Sequence, residues 1–379
     1  MSLEPRIVKE SLSRIQPVQA KAARYFYGRL FAENPRMRAL FPPGMDVHHD
    51  RLFQAIGEIV GSQDSPETLA AHLGRLGRAH RRFGVQREHY AAFGTALVAT
   101  LRAFSDEWST EIETAWTELC RSAADTMSTA AERDAERAPP WWVAEVVGHD
   151  RRAHDLAVLT LRPGCPLPFV AGQHVTVQTS RWPRVWRPYS IANAPRPDGT
   201  LRLHVRAVPA GWVSGALVRH TRPGDTVLLG PAAGGMTLDP GSGRDLLLVA
   251  GGTGLAPARA LAEQAARSGA ARAVRLLVGA RTGAGLYDLP GLRALESECP
   301  RLRVTPVVSG EPGYPGLRGA LPDVLDRFPD LAGHDVHVAG PAPMVRETVT
   351  ALQRLGVPLD QIRHDLLEAE RRAVPVLSA

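Results

Sequence analysis

The sequence predicts three fold classes in series: an all-α domain, a small antiparallel β-barrel and a doubly wound α/β domain. Three observations carry this. Residues 10–136 read as helix after helix, with no strand-like alternation. Pro139 and Pro140 then end that pattern, and short alternating segments separated by turn signals follow. From Gly243 onward strands alternate with helices, the grammar of a parallel sheet whose ligand crevice lies at the strand C-termini. At 379 residues the chain is too long for one ordinary core. The expected domains are residues 1–138, 139–240 and 241–379.

Composition excludes several classes. The chain is 44% hydrophobic and 22% charged, as soluble globular proteins are. Its longest apolar run, Leu246-Leu247-Leu248-Val249-Ala250, reads as a buried strand and falls far short of the ~20 residues that span a bilayer. Met1-Ser2-Leu3-Glu4-Pro5 carries no signal-peptide hydrophobic region. Cys120, Cys165 and Cys299 are far apart, which argues against a disulfide scaffold, a zinc ribbon, a cysteine-held iron–sulfur cluster and covalently attached haem. A cytoplasmic protein without a membrane span is expected. The net charge of +6 is nearly all arginine, interleaved with acids and forming no basic stripe, so no nucleic-acid partner is expected.

In the helical third, segment 18–31 is amphipathic and ends at Ala32-Glu33-Asn34-Pro35, where proline stops one helix and starts another. Segment 37–41 gives a short helical turn, stopped by Pro42-Pro43-Gly44. Asp46 is expected to cap the next helix, which carries Leu52, Phe53, Ile56, Ile59 and Val60 on one face. Ser65-Pro66-Glu67 is a further cap, with proline at the first helical position, and opens the helix that leads to His80. Segments 90–104 and 112–127 read as two longer helices. A histidine near a helix end is ordinarily a cap or a surface residue, and that is the reading for His72 and His89.

Tyr25-Phe26-Tyr27-Gly28-Arg29-Leu30-Phe31, Asn34-Pro35, Leu40-Phe41, His80 and Tyr90 together resemble the globin domain of flavohaemoglobins. The resemblance implies haem b, with the neutral imidazole of His80 as the axial ligand of its iron. It implies that Phe41 packs on the haem face, that the Tyr27 hydroxyl hydrogen-bonds bound oxygen, and that His48 or Leu52 faces the ligand from the distal helix. It also implies a network behind the iron, in which the other ring N–H of His80 reaches Tyr90, with Glu132 the nearest candidate for the acid beyond.

In the middle third, segments 142–147, 156–161, 174–178, 190–192, 201–208 and 226–229 read as strands. Pro197-Asp198-Gly199 and Pro223-Gly224-Asp225 are turns between them. Arg187-Pro188-Tyr189-Ser190 resembles the RxYS motif of the ferredoxin–NADP reductase superfamily. Gly172-Gln173-His174 is similar to that superfamily's glycine–glutamine element, and Gly211-Trp212-Val213-Ser214 to its GxVS segment. Standing in family order, the three imply FAD. Tyr189 would lie against the flavin, Ser190 beside its reactive nitrogen N5 and Arg187 on the pyrophosphate. Backbone N–H groups around Gly211, Val213 and Ser214 would hold the same pyrophosphate at a helix start, and Gln173 belongs to the same site.

In the last third a strand at 245–250 runs into Gly251-Gly252-Thr253-Gly254-Leu255-Ala256-Pro257 and a helix at 258–267. Segments 274–279, 303–308 and 336–339 are further strands. This glycine-rich loop resembles a second motif of the same family, which implies that its backbone approaches the pyrophosphate of a nicotinamide cofactor at the helix start, with Gly251, Gly252, Thr253, Gly254 and Pro257 as its candidate residues. Gly340-Pro341-Ala342-Pro343-Met344 resembles the family segment beside the nicotinamide. Arg281, at the tip of the 274–279 strand, either meets a 2′-phosphate, which would favour NADPH, or is an ordinary crevice arginine. The chain departs from the family at two positions. Ala339 stands where a cysteine usually precedes that segment, and Leu367 where a terminal aromatic usually covers the flavin.

The resemblance implies an enzyme that uses NAD(P)H, through FAD, to reduce haem iron, and acts as a nitric oxide dioxygenase on the small molecules O2 and NO. Two alternatives stand beside it. One is a flavin reductase that passes electrons to an external acceptor; the other is a haem-based oxygen or redox sensor.

Overall fold

Apolar faces at helical spacing fold the first third into α1 (Pro5–Ile15), α2 (Gln19–Glu33), α3 (Asp46–Gly61), α4 (Pro66–His80), α5 (Arg87–Ala103) and α6 (Thr110–Ala135). The computed structural model describes residues 5–267, 272–328 and 330–364. They form two compact units, the first reaching Trp141 and including Pro183–Trp186, the second holding Trp142–Trp182 and the chain from Arg187.

The helices of the first unit meet in a core that includes Phe26, Leu30, Leu97, Leu101 and Trp116. A satellite cluster of Leu73, Leu76 and Met127 joins α4 to α6. Burying each such side chain contributes about 1.5–3 kcal/mol. Gly77 decides how close these two helices come, because a Cβ there would collide with the Met127 carbonyl oxygen. That approach fixes the end of α4, where His80 is the last helical residue.

The local expectations hold with corrections. Asp46, expected at the N-cap, is the first residue of α3, with Met45 at the N-cap position. Ser65 occupies the N-cap position of α4, but its hydroxyl pairs with Thr68 Oγ1 at 2.8 Å instead of a backbone N–H. His89 is a cap: the Gln86 backbone N–H donates to its Nδ1 at 2.8 Å. His72, expected as a cap or a surface residue, is buried in the middle of α4. Helix α6 runs past Met127 to Ala135, and its extra turns carry Glu132, the acid expected beyond Tyr90.

In the second unit β1 (Trp142–Ala153), β2 (Leu156–Pro163), β3 (His174–Thr179), β4 (Arg187–Ser190), β5 (Leu201–Arg206) and β6 (Thr226–Leu229) form an antiparallel sheet, with α7 (Trp212–Arg219) between the last two. The strand order is β4-β3-β6-β1-β2-β5. A bridge from Ile191 to Leu203 brings its two ends together, nearly closing a barrel. The fourth strand is Arg187–Ser190 itself, where sequence placed it at 190–192. Pro188 hid it, since proline donates no ladder bond; β4 is an end strand of the order, where proline is tolerated.

The remaining elements are β7 (Asp245–Gly251), α8 (Leu255–Arg267), β8 (Val274–Ala280), α9 (Leu289–Glu298), β9 (Leu302–Val308), β10 (Leu317–Arg318), β11 (His334–Ala339), α10 (Ala342–Arg354) and β12 (Ile362–His364). Their sheet is parallel, in the order β10-β9-β8-β7-β11-β12. Helix α8 starts at Leu255, with Pro257 in its first turn, where a missing N–H costs nothing. Among the described residues no helix is long and apolar enough to cross a membrane.

Two histidines of this unit, His204 and His337, are buried. Burial first, then the nearby Arg259, Arg202 and Arg152, hold His204 at about 3; burial holds His337 at about 4. Both stay neutral in the folded state at pH 5, whereas an unfolded histidine protonates near 6.5. Their contribution to stability is therefore complete above pH 6.5 and is lost as pH falls towards 4 and below. Denaturant titrations should accordingly give a falling unfolding free energy across that window, and a shallower fall in His337→Leu. Identical slopes in the two proteins would contradict the assignment.

Candidate functional site

One cavity in the helical unit gathers residues that are distant in sequence. Tyr27 of α2, Phe41 after it, His48, Leu52 and Ile56 of α3, His80 of α4 and Tyr90, Phe93 and Leu97 of α5 all line it. Tyr27 and Phe41 are buried, with ring centroids 5.7 Å apart, and His48 lies 5.6 Å from Phe41. The walls are overwhelmingly apolar, so polar atoms facing the cavity stand out. Both ring nitrogens of His48 are buried without a hydrogen-bond partner. Such atoms cost on the order of 1–3 kcal/mol unless a ligand meets them. Burial also raises the Tyr27 hydroxyl far above its usual range, so it stays protonated and able to donate.

His80, another lining residue, engages Nδ1 with the Tyr90 hydroxyl at 3.2 Å, the rings stacked at 27°. Burial, with Arg82 adding to it, lowers His80 to about 4, so the imidazole is neutral. With Nδ1 carrying the proton towards Tyr90, Nε2 keeps its lone pair free. This donor set fits a haem: one neutral imidazole nitrogen, apolar walls, and a protonated phenol lining the same cavity.

Glu132 does not join this group. It is exposed and faces Arg87 at 3.9 Å. Side chains turn by ~100° per residue on a helix. On α6 the inward positions include Met127, while Glu132 points outward. The acid that does approach the His80 turn is Asp134, and it is paired with Arg81, which also donates to the Ala138 carbonyl at 2.6 Å. Tyr90 is thus the partner of His80 Nδ1 among the described residues.

The barrel brings its three motifs to neighbouring positions. Tyr189 and Ser190 of β4 pair with Val175 and His174 of β3. Arg187, Tyr189 and Ser190 are half-buried, and burial raises the Tyr189 hydroxyl. Gln173 ties the strand ends together, its Oε1 accepting from Val170 N at 3.0 Å and its carbonyl from Ile191 N at 2.9 Å. Gly211 is the N-cap of α7. Val213 is core, and Ser214 Oγ donates to the Gly211 carbonyl at 3.4 Å while accepting from Val208 N at 3.3 Å. These two side chains shape the turn, which leaves the backbone at the start of α7 to meet an anion. Arg181, Arg219 and the stacked pair Trp182–Trp212, with centroids 4.8 Å apart, line a cleft beside that helix start.

In the parallel layer, Gly252, Thr253 and Gly254 make one tight turn between β7 and α8. The loop lies directly on the Gly340 segment. A Cβ on Gly254 would collide with the Ala339 carbonyl, and one on Gly251 with Met344 Sδ. Pro341 caps α10, and Pro257 is buried in α8. Arg281 is exposed just beyond β8, and close by Glu311 Oε2 accepts from Gly283 N at 2.7 Å. Leu367 lies outside the described residues. Sequence reasoning passed over Arg259 and Glu263, buried charges inside α8; their spacing in an alanine-rich helix was the available signal.

The two units therefore define a class: a globin joined to an oxidoreductase module that binds FAD and a nicotinamide dinucleotide. Residues 24–127 match the globin family, 143–236 the oxidoreductase FAD-binding domain and 248–350 the oxidoreductase NAD-binding domain. The flavohemoprotein of Bordetella pertussis is 28% identical, over 90% of this chain and 92% of its own. A reductase component, ferredoxin–NAD(P)+, of naphthalene 1,2-dioxygenase/salicylate 5-hydroxylase systems from a Ralstonia species is 34% identical over 58% of this chain and 67% of its own. The fold matches the crystal structure of a flavohemoglobin from Malassezia yamatoensis with bound FAD and heme, at a TM-score of 0.74 and 19% identity, over 96% of this chain and 98% of that one. The chain belongs to the flavohaemoglobins, and it is an oxidoreductase.

Because Gly254 has no room for a side chain, Gly254→Val must displace the loop. The variant should keep its FAD yet need on the order of tenfold more NAD(P)H to half-saturate flavin reduction. An unchanged KM would show that the loop does not carry the nicotinamide cofactor.

Proposed function

We propose that this protein is a nitric oxide dioxygenase that draws its electrons from NAD(P)H. In balance, two NO and two O2 take the two electrons of one NAD(P)H, giving two nitrate ions, NAD(P)+ and one proton. When bound, FAD converts a two-electron donor into single-electron steps and haem supplies the oxygen-binding centre. The observation that carries the reading is the cavity itself, which gathers His80, its partner Tyr90 and Tyr27 within apolar walls.

Each residue has a physical task in this reading. His80 presents Nε2 as a neutral ligand, and Tyr90 fixes the tautomer and ring orientation by accepting from Nδ1–H. Burial keeps His80 from competing protonation down to about pH 4. Tyr27, held protonated, donates to a small polar molecule in the cavity. Phe41, Leu52, Ile56 and Leu97 exclude water from it. With Glu132 turned away, His80 is a weaker electron donor than an imidazole backed by a carboxylate would be.

That last feature favours one second reading, delivery of electrons to an external acceptor. The higher identity of the reductase half to the Ralstonia ferredoxin–NAD(P)+ reductase component points the same way.

Nitric oxide consumption by the purified holoprotein under air separates the two. Rapid, NAD(P)H-dependent loss of nitric oxide with nitrate formed is expected, abolished in His80→Ala together with the haem Soret band. Tyr90→Phe should retain haem and turn over about tenfold more slowly. If nitric oxide disappears no faster with NAD(P)H, the dioxygenase reading fails; reduction of an added ferredoxin in its place would support the second. A Soret band that survives in His80→Ala would remove the ligand assignment.

A further inference from the structure

Inside the second unit, the flavin-motif barrel and the nicotinamide-motif sheet are joined through buried charges. Arg259, on the second turn of α8, donates from Nε to Asp288 Oδ2 at 3.1 Å and from Nη1 to the Ala192 carbonyl at 3.1 Å and Glu263 Oε2 at 3.5 Å. Glu263, one turn on, accepts from Ala194 N at 3.2 Å, from Arg196 at 3.2 Å and from Arg267 at 2.6 Å. Arg267 also reaches the Pro195 carbonyl at 3.2 Å, and the neighbouring Gln264 accepts from Ala171 N at 3.1 Å. Arg152 of β1 stands 3.7 Å from Asp288, and His204 of β5 bonds the Tyr287 hydroxyl at 2.8 Å. Arg259, Glu263 and Asp288 are 8%, 5% and 6% exposed, so these are interior ions.

Stability alone does not account for them. Desolvating a charge costs several kcal/mol, and well-packed apolar side chains hold a junction equally well or better. Directed charge-assisted bonds supply one geometry, where apolar contact tolerates many. What they join is specific. Ala192 and Ala194 stand two and four residues past Ser190, and their loop is itself pinned by buried Asn193, which accepts from Arg202 N at 2.6 Å and donates to the Thr200 carbonyl at 3.2 Å. Helix α8, in turn, begins at the residue after Gly254.

We propose that Arg259 and Glu263 are positioning residues for hydride transfer: they lock the strand that bears the flavin motif to the helix that follows the nicotinamide loop. The proposal rests on the reading that NAD(P)H reduces FAD in this module. Neither residue touches the reacting atoms; each acts through the backbone it holds. Transfer rates are steep in donor–acceptor distance, a misplacement of ~1 Å costing about a hundredfold.

Stopped-flow flavin bleaching by NAD(P)H in the full-length holoprotein tests this. Glu263→Ala, loaded with FAD, should bleach at least about tenfold more slowly at saturating NAD(P)H, with the half-saturating concentration little changed. The long-wavelength charge-transfer absorbance between flavin and nicotinamide should weaken in parallel. Glu263→Gln, which can still accept from Ala194 N, should recover most of the rate. Should Glu263→Ala fail to hold FAD, Arg259→Lys decides, because it keeps the buried charge and loses the branched donor set. Wild-type bleaching and charge-transfer absorbance in that variant, or in folded Glu263→Ala, overturn the proposal. A wild-type protein that NAD(P)H does not bleach overturns the underlying reading instead.

Discussion

An imidazole enclosed by apolar side chains has to be neutral, and the helical unit is built around that constraint. Burial and Arg82 both act against the charged form of His80. A neutral ring has one donor and one acceptor, so when Nδ1–H donates to a partner, Nε2 is left with its lone pair. Tyr90 takes Nδ1, and Nε2 is left to the cavity. The helix that carries His80 is held in place by a glycine, Gly77, at its crossing with α6, and by the Leu73, Leu76 and Met127 cluster. Fold and ligand chemistry meet at one helix end.

Much of this was legible in the sequence, for identifiable reasons. Long amphipathic helices announce themselves by period, and the glycine-rich turn after β7 by the impossibility of side chains there. Tyr27, Phe41, His48, Leu52, His80 and Tyr90 all stand out from the sequence pattern, and one cavity holds them all. Glu132 was not legible because helical phase is unforgiving. A shift of one or two residues moves a side chain by ~100–200° around the axis, and an acid meant for the interior ends up on Arg87. Strand β4 was shifted because Pro188 reads as a breaker to any local rule; only the pairing with β3 makes Arg187–Ser190 a strand. The short β10 and β12 exist only through their neighbours β9 and β11.

The ions between the barrel and the parallel sheet show a different limit of sequence reading. Arg259 and Glu263 look like a solvated pair on a helix face, the ordinary meaning of that spacing. Burial changes their meaning, and burial is a property of the packed unit. Both units use burial to keep histidines neutral, and the reductase unit also uses it to make charges directional. Low local dielectric serves both, since it penalises an unmet charge and strengthens a met one. Ala339, where relatives were expected to carry cysteine, fits the same picture of close packing: it is fully buried, and its carbonyl lies against Gly254.

The central claim is that one chain carries electrons from a nicotinamide cofactor through flavin to an iron held by His80. Anaerobic stopped-flow spectroscopy of the full-length holoprotein mixed with NAD(P)H tests it most directly. The account predicts bleaching of the flavin bands, followed by conversion of the Soret band from its ferric to its ferrous position without any added carrier. Flavin that bleaches beside haem that stays ferric would contradict it.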